Sequence, residues 1–343
     1  MDGPVGGVRR CGRMTGRRGA TWLLAICTGC GSTGAGDETQ GSSGAATSGS
    51  STGGEPTTGG AAETSGSEAT GGSGATTVDP SAGPGSEATS DPTSDPTADP
   101  TEQPPGLVLP PADAKLDYQL GGAYPPPDGV GVVSRDRNDP PAAGLYSVCY
   151  VNGFQAQPDE AAFWLDEHPE LVLRDGNDEP VIDVDWDEML LDTSTPEKRA
   201  ALAVIVGGWI AGCEQAGYQA VEIDNLDSYS RSLGLLDQDQ AVAFMALLSA
   251  EAHARGLAIA QKNSTELLPR RAEMGTDFAV AEECNHYDEC DDYIGTYGDG
   301  VLMIEYSDAD FAKGCAAYPQ MSIVRRDVEL TLPGDAAYVY DGC

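Results

Sequence analysis

The chain has 343 residues, 55 of them Asp or Glu against 19 Lys or Arg, giving a formal net charge of −36 at pH 7. That balance offers no basic footprint, so it argues against a nucleic-acid partner and favours cationic ligands. A surface adapted to solubility or salt explains the charge equally well. At the N-terminus, Arg9, Arg10, Arg13, Arg17 and Arg18 precede an apolar run from Ala20 to Cys27. Basic then apolar is the order of a secretory signal, and the run is too short to span a bilayer as a helix. Cys27-Thr28-Gly29-Cys30 follows, with a small residue before Cys30. Lipidation at Cys30 is the expected outcome and ordinary cleavage downstream is the alternative. Residues 1–30 are read as a signal/lipoprotein segment, which makes the protein exported, at the cell surface or free. Membrane contact is expected only through that lipid.

Residues 31–108 are almost all Gly, Ser, Thr, Ala, Pro, Asp and Glu, with no aromatic residue, Lys or Arg. Such a stretch buries too little apolar surface to offset chain entropy, so a disordered acidic linker is expected. Ser90-Asp91-Pro92-Thr93, Ser94-Asp95-Pro96-Thr97 and Ala98-Asp99-Pro100-Thr101 repeat one unit, as in a stiffened spacer. Residues 109–343 are long enough for one α/β barrel. Of the acids and bases, 12 and 5 precede residue 109, leaving 43 and 14 in this domain. The domain holds six cysteines: Cys149, Cys213, Cys284, Cys290, Cys315 and Cys343. An even count in an exported domain favours up to three disulfides, with the pairing open. Cys284 with Cys290 is the best single pair, because a short acidic loop joins them. The domain has no C-x₂-C pair and the chain only three His, which speaks against a zinc site. No metal and no cofactor is expected, and the protein is read as a monomer.

Short apolar runs alternate with helical segments along the domain. The candidate strands are Asp117–Leu120, Val130–Ser134, Leu145–Asn152, Met189–Asp192, Ala220–Asp224, Leu257–Lys262, Phe278–Glu282 and Val301–Tyr306. Several are fully apolar until their last residues, as expected of parallel strands buried on both faces. Thr195 can cap a helix that starts at Pro196 and stops at Gly217. A second helix runs from about Gln238 to Arg255, with Val242, Met245, Leu248 and Ala252 on one face and Gly256 as its stop. The pattern implies an α/β fold, a TIM-like (β/α)₈ barrel. Its first half is irregular, because Asp139-Pro140-Pro141 leaves no room for a helix between Ser134 and Leu145.

Polar groups that packing would not choose end nearly every strand: Gln119, Asp136, Tyr150 with Asn152, Asp192, Asp224 with Asn225, Lys262 with Asn263, Glu282, and Glu305 with Tyr306. In a barrel these ends converge on one face, where active sites are built. Of these, Gln119, Asp136, Tyr150, Asp192, Asn225, Lys262, Asn263, Glu305 and Tyr306, with Tyr229, form the expected substrate-binding set around a carboxylate-rich cleft without His. That composition suits glycoside hydrolysis, which needs an acid and a base or nucleophile flanking the scissile bond. Asp224 ends a buried strand, where a carboxylate is costly unless used or paired. Glu222 is its rival, but lies two residues earlier on the same side and so deeper in the barrel. Asp183-Val184-Asp185-Trp186-Asp187 has alternating acids but no EF-hand frame, and reads as an exposed connection.

Gly217-Tyr218 through Tyr229 resembles, nearly position by position, the signature of the endo-α-1,4-polygalactosaminidases of glycoside hydrolase family 114. Leu191-Asp192, Gly256-Leu257 to Lys262-Asn263, Phe278 to Cys284, Tyr287 to Cys290 and Ile304-Glu305-Tyr306 resemble further family segments. Ala281 and Tyr150-Val151-Asn152-Gly153 depart from the family pattern beside the sugar. The resemblance implies a TIM-like barrel that hydrolyses α-1,4-linked galactosamine polymers, with Asp224 as nucleophile and Glu282 as acid/base. The partner is then an amino-sugar polysaccharide. A non-catalytic carbohydrate-binding lipoprotein is the alternative, and retention of both carboxylates argues against it.

Overall fold

The computed structural model describes residues 106–343. The expected signal segment with Cys30, and the expected linker up to residue 105, lie outside the described residues. Three strands come first, β1 (Lys115–Gln119), β2 (Val130–Asp136) and β3 (Tyr146–Asn152), paired in parallel. Only turns join them. Pro125-Pro126-Pro127 and Pro140-Pro141 occupy those connections and bar a helix.

The chain then leaves the barrel. β4 (Gln155–Ala156), β5 (Ile182–Asp183) and β6 (Glu188–Leu190) make a separate antiparallel sheet in the order β4-β6-β5. This corrects the reading of Met189–Asp192 as a barrel strand. A short apolar run is equally at home in a buried hairpin, and here Leu190 and Leu191 are fully buried within it. Helix α1 (Pro196–Ala216) follows, capped by Thr195, whose hydroxyl accepts from the Lys198 amide, and ended by Gly217 at φ 97°. From there strand and helix alternate: β7 (Ala220–Asp224), α2 (Gln238–Ala254), β8 (Ala258–Lys262), α3 (Arg271–Met274), β9 (Phe278–Glu282), α4 (Cys290–Tyr297), β10 (Val301–Glu305), α5 (Asp308–Ala317) and β11 (Ser322–Arg326). β12 (Tyr340–Gly342) lies antiparallel on β11.

Eight parallel strands, β1-β2-β3-β7-β8-β9-β10-β11, therefore form a TIM-like barrel. β11 takes the place expected of Met189–Asp192. Its Arg325-Arg326 ending masks the apolar Ile323-Val324 pair in the sequence. β1 lies beside β11, and the fully buried Arg326 joins them. Its Nη1 lies 3.4 Å from Asp117 Oδ1 and donates to the Tyr118 carbonyl, while Nε and Nη2 donate to the carbonyls of Val339 and Thr331.

Side chains alternate between the two faces of each strand. Leu116, Val132, Val148, Ala220, Ala260, Val280 and Ile304 share the inner core. Cys149, Val151, Val221, Ile223 and Ile259 pack outward against Leu202, Val206 and Ile210 of α1 and Phe244, Met245 and Leu248 of α2. Three disulfides fasten the shell. Cys284–Cys290 closes the loop after β9, as expected; Cys149–Cys213 ties β3 to α1, and Cys315–Cys343 ties α5 to the segment after β12.

Candidate active site

The inward side of β7 runs Ala220, Glu222, Asp224, so Glu222 lies one layer below Asp224, as the spacing requires. β8 contributes Lys262 and β9 contributes Glu282 at the same end of the barrel. Lys262 is the hub. Its Nζ lies 3.0 Å from Glu222 Oε1, 3.4 Å from Asp224 Oδ1 and 3.2 Å from Glu282 Oε2. It also donates to Tyr118 Oη at 2.9 Å. The nearest oxygens of Asp224 and Glu282 therefore lie within about 6.6 Å of each other, the most that 3.4 Å and 3.2 Å to a shared nitrogen allow.

Each carboxylate is held by a different set of donors. Glu222, fully buried, accepts from Tyr118 Oη at 2.5 Å and Ser134 Oγ at 2.9 Å. Asp224 accepts from Tyr150 Oη at 2.7 Å on the oxygen that Lys262 leaves free. Glu282 accepts from Asn263 Nδ2 at 3.0 Å and from Tyr306 Oη, and its amide donates to Asn263 Oδ1 at 2.9 Å. The side chains of Asp224 and Glu282 keep 21% and 25% of their surface exposed, against 3% for Lys262. The two carboxylates can thus meet a substrate while the lysine stays beneath them. The residues directly after all three, Asn225, Asn263 and Glu283, have φ of 62°, 46° and 55°. Left-handed backbone at non-glycine positions is costly and turns the chain sharply as it leaves the strand.

The electrostatics separate the acids. Burial works to raise Asp224, but Lys262 and the Tyr150 hydroxyl outweigh it and hold the carboxyl below its ordinary range. Burial raises Glu222. Lys262 is pushed down by burial and more strongly up by Asp224 and Glu282, so it stays a cation. Burial, with Asp224 beside it, raises the Tyr150 phenol, and burial with Glu282 raises Tyr306. Both remain hydrogen-bond donors.

A cleft of about 690 Å³ opens over this cluster. Of the residues expected from the sequence, Asp136, Tyr150, Asp224, Asn225, Lys262, Asn263, Glu282 and Tyr306 line it. Four others are placed elsewhere. Gln119 is buried, donating to Asp117 and accepting from Arg135. Asp192 accepts from the Ser194 amide and pairs with Lys198 at the start of α1, so it organises a helix entry and not a barrel mouth. Tyr229 donates to Glu266. Glu305 is buried beneath the rim, accepting from the backbone and side chain of Asn285.

Sequence reasoning missed other lining residues, among them Tyr118, Trp186, Glu188, Arg231 and Tyr287. Trp186 and Glu188 belong to the β5–β6 hairpin, so the reading of that stretch as an exposed connection holds only for its tip. Asp183 there is buried and pairs with Arg231 Nε at 2.6 Å. A tryptophan among alternating acids was the available signal. Among the described residues, Cys284, Cys290 and Glu305 have metal-ligand spacing, but both sulfurs are in a disulfide, and a metal site needs thiolates.

The model of glycoside-hydrolase family GH114 matches residues 97–343. The chain belongs to family GH114. The signature from Gly217 to Tyr229 thus marks a true member, and this GH114 protein is a glycoside hydrolase. Among solved structures it is similar to Aspergillus fumigatus Ega3 in complex with galactosamine, at 22% identity over 69% of this chain and 98% of that one, with a TM-score of 0.54. The glycoside hydrolase domain of PelA from Pseudomonas aeruginosa also matches, at 15% identity over 65% and 98%, with a TM-score of 0.44. Comparison with curated proteins found no match. The likeness to Ega3 bears out the TIM-like barrel.

Proposed function

We propose that this GH114 enzyme is an exported endo-acting hydrolase of α-1,4-linked, galactosamine-containing polysaccharide, with Asp224 as nucleophile and Glu282 as acid/base. The observation that carries the assignment is the shared ammonium: Lys262 holds the two carboxylates within about 6.6 Å at one barrel mouth. Retaining glycosidases keep their carboxyl groups roughly 5–5.5 Å apart and inverting ones roughly 6.5–9.5 Å. The bound favours retention. Ionised Asp224 attacks the anomeric carbon while Glu282 gives its proton to the departing glycosidic oxygen. Glu282 then takes a proton from water, whose oxygen attacks the same carbon and releases Asp224. Glu222, buried below, fixes Lys262 and does not reach the sugar.

A cationic polymer suits a domain with 43 acids and 14 bases, and Ega3 was solved with galactosamine. Three disulfides suit an exported domain. Lipidation of Cys30 completes the proposal, and a protein wholly in the aqueous phase after detergent partitioning would refute that part. The chemistry is tested with Asp224→Asn, Glu282→Gln and Glu222→Gln, each checked for folding. The first two should lose turnover on partly deacetylated galactosamine polymer by roughly 10²–10⁴-fold or more. The first-formed product should be the α-anomer by NMR. Near-normal turnover by folded Asp224→Asn or Glu282→Gln sinks the assignment.

A further inference from the structure

The mechanism above leaves one buried acid of the cleft unused. Glu188 is 8% exposed, lines the cleft and sits at the start of β6. Its Oε2 accepts from Asn152 Nδ2 at 2.8 Å and Asn225 Nδ2 at 3.2 Å. Both bonds fall on that one oxygen, and among the described residues Glu188 makes no ion pair. The nearby guanidinium is committed elsewhere: Arg231 pairs with Asp183 at 2.6 Å and Asp227 at 2.7 Å, and donates to Asn225 Oδ1 at 3.2 Å. Arg231 thereby turns the Asn225 amide so that its NH₂ meets Glu188. A buried carboxylate with two neutral donors and no cation paired to it is an expensive arrangement.

Its position relative to the nucleophile gives it a use. Asn152 of β3 is register-paired with Asp224 of β7, and Asn225 follows Asp224 in the chain. Glu188 therefore flanks Asp224 on the β3 side. Lys262 flanks it on the opposite side, from β8. A pyranose whose anomeric carbon faces Asp224 has its ring oxygen on one lateral side and C2 on the other. A cationic C2 substituent is repelled by Lys262 and attracted by Glu188.

We propose that Glu188, held by Asn152 and Asn225, is the seat for the C2 ammonium group of the sugar bound at Asp224. This rests on the galactosamine reading above and makes Glu188 the residue that prefers a free amine over an acetamide. The acetamide is neutral and bulkier, and would leave the carboxylate buried without a counter-charge. The groups facing Glu188 are Asp183 across the β5–β6 pair, Tyr150 and Asn152 from β3, Asp224 and Asn225 from the end of β7, and Arg231 with Asp227 from the turn after it. Burial, with Asp224 and Asp183 beside it, pushes Glu188 up to about 7. An arriving ammonium favours the ionised form, so binding near pH 7 releases up to about half a proton per site.

Two measurements on the full chain test this. The first compares kcat/KM on deacetylated and N-acetylated galactosamine oligomers for wild type and Glu188→Gln. The preference for the free amine should fall about tenfold to hundredfold in the variant, as expected for losing a charged hydrogen bond; an unchanged ratio overturns the proposal. The second is calorimetry of galactosamine and N-acetylgalactosamine with the inactive Glu282→Gln enzyme, in buffers of different ionisation enthalpy at pH 7. Galactosamine should bind more tightly and release protons. Equal affinity, or no proton release, overturns the proposal even where Glu188→Gln fails to fold. If wild type cleaves no galactosamine polymer, the proposed function falls, while proton-releasing galactosamine binding still supports the seat.

Discussion

Glu188 and Asp224 are two acids of one cleft shifted in opposite directions, and each makes stability depend on pH in its own direction. A carboxyl raised from 4.5 to about 7 on folding holds its proton in the folded state after the unfolded chain has lost it. Between those values the folded state binds more protons, so unfolding free energy falls as pH rises; above 7 the loss is complete, on the order of 3 kcal/mol at most. Glu188→Gln should therefore match wild type near pH 4.5 and exceed it in stability at pH 8, by urea denaturation at both values. An equal difference at the two pH values would contradict the burial argument. Asp224 runs the other way. Its depressed carboxyl contributes stability above its unfolded pKa, lost as pH falls through the folded one. Lys262→Met removes the cation that depresses it and leaves Glu222, Asp224 and Glu282 facing each other. That variant should lose about 3–5 kcal/mol, and any activity left should show its acid limb of kcat/KM at higher pH than wild type.

At the scale of elements, the site depends on how β3 meets β7. Their register sets Asn152 opposite Asp224 and Tyr150 opposite Glu222, which puts the Tyr150 hydroxyl within reach of the nucleophile. Gly153, just past the end of β3, permits this approach: a Cβ there would come 2.5 Å from Ile223 Cγ2. Side chains on β7 cannot retreat, because Ile223 is fully buried against α2. Gly153→Ala should push the β3 exit away from β7, lowering the melting temperature and reducing kcat through Tyr150 and Asn152. A variant as stable and active as wild type would show that the exit is free to shift. The β4-β6-β5 sheet has a different role. It grows from the β3 exit and brings Trp186 and Glu188 over the barrel mouth without belonging to the barrel.

For the whole molecule, closure between β1 and β11 rests on side chains. Arg326 fills that seam with hydrogen bonds to three carbonyls and an ion pair to Asp117, both residues fully buried. Removing one member of a buried pair leaves the other unpaired and costs about 3–5 kcal/mol. Arg326→Met is expected to lose that much by denaturant unfolding, with Asp117→Asn in the same background recovering part of it. Loss below 1 kcal/mol would mean that the seam is held mainly by the apolar layers. The Cys315–Cys343 disulfide secures the same region from outside, tying α5 to the end that carries β12 beside β11.

The residues of the barrel mouth that come from strand ends are legible in the sequence. Strand periodicity is local, so an apolar run that stops in Asp224, Lys262 or Glu282 declares both its strand and the end that carries the polar group. The same alternation placed Glu222 below Asp224. What the sequence could not decide was which short apolar run belongs to which sheet, because the same few residues satisfy a barrel strand or a buried hairpin. Tertiary pairing alone sent Met189–Leu190 to the β4-β6-β5 sheet, recruited Ser322–Arg326 as the eighth strand, and so exchanged Asp192 for Glu188 at the cleft. It also chose Cys149–Cys213 and Cys315–Cys343, partners separated by 64 and 28 residues. Burial of Arg326 and Glu188 was likewise invisible in the chain, since a charged side chain becomes tolerable inside only through partners that folding brings from elsewhere.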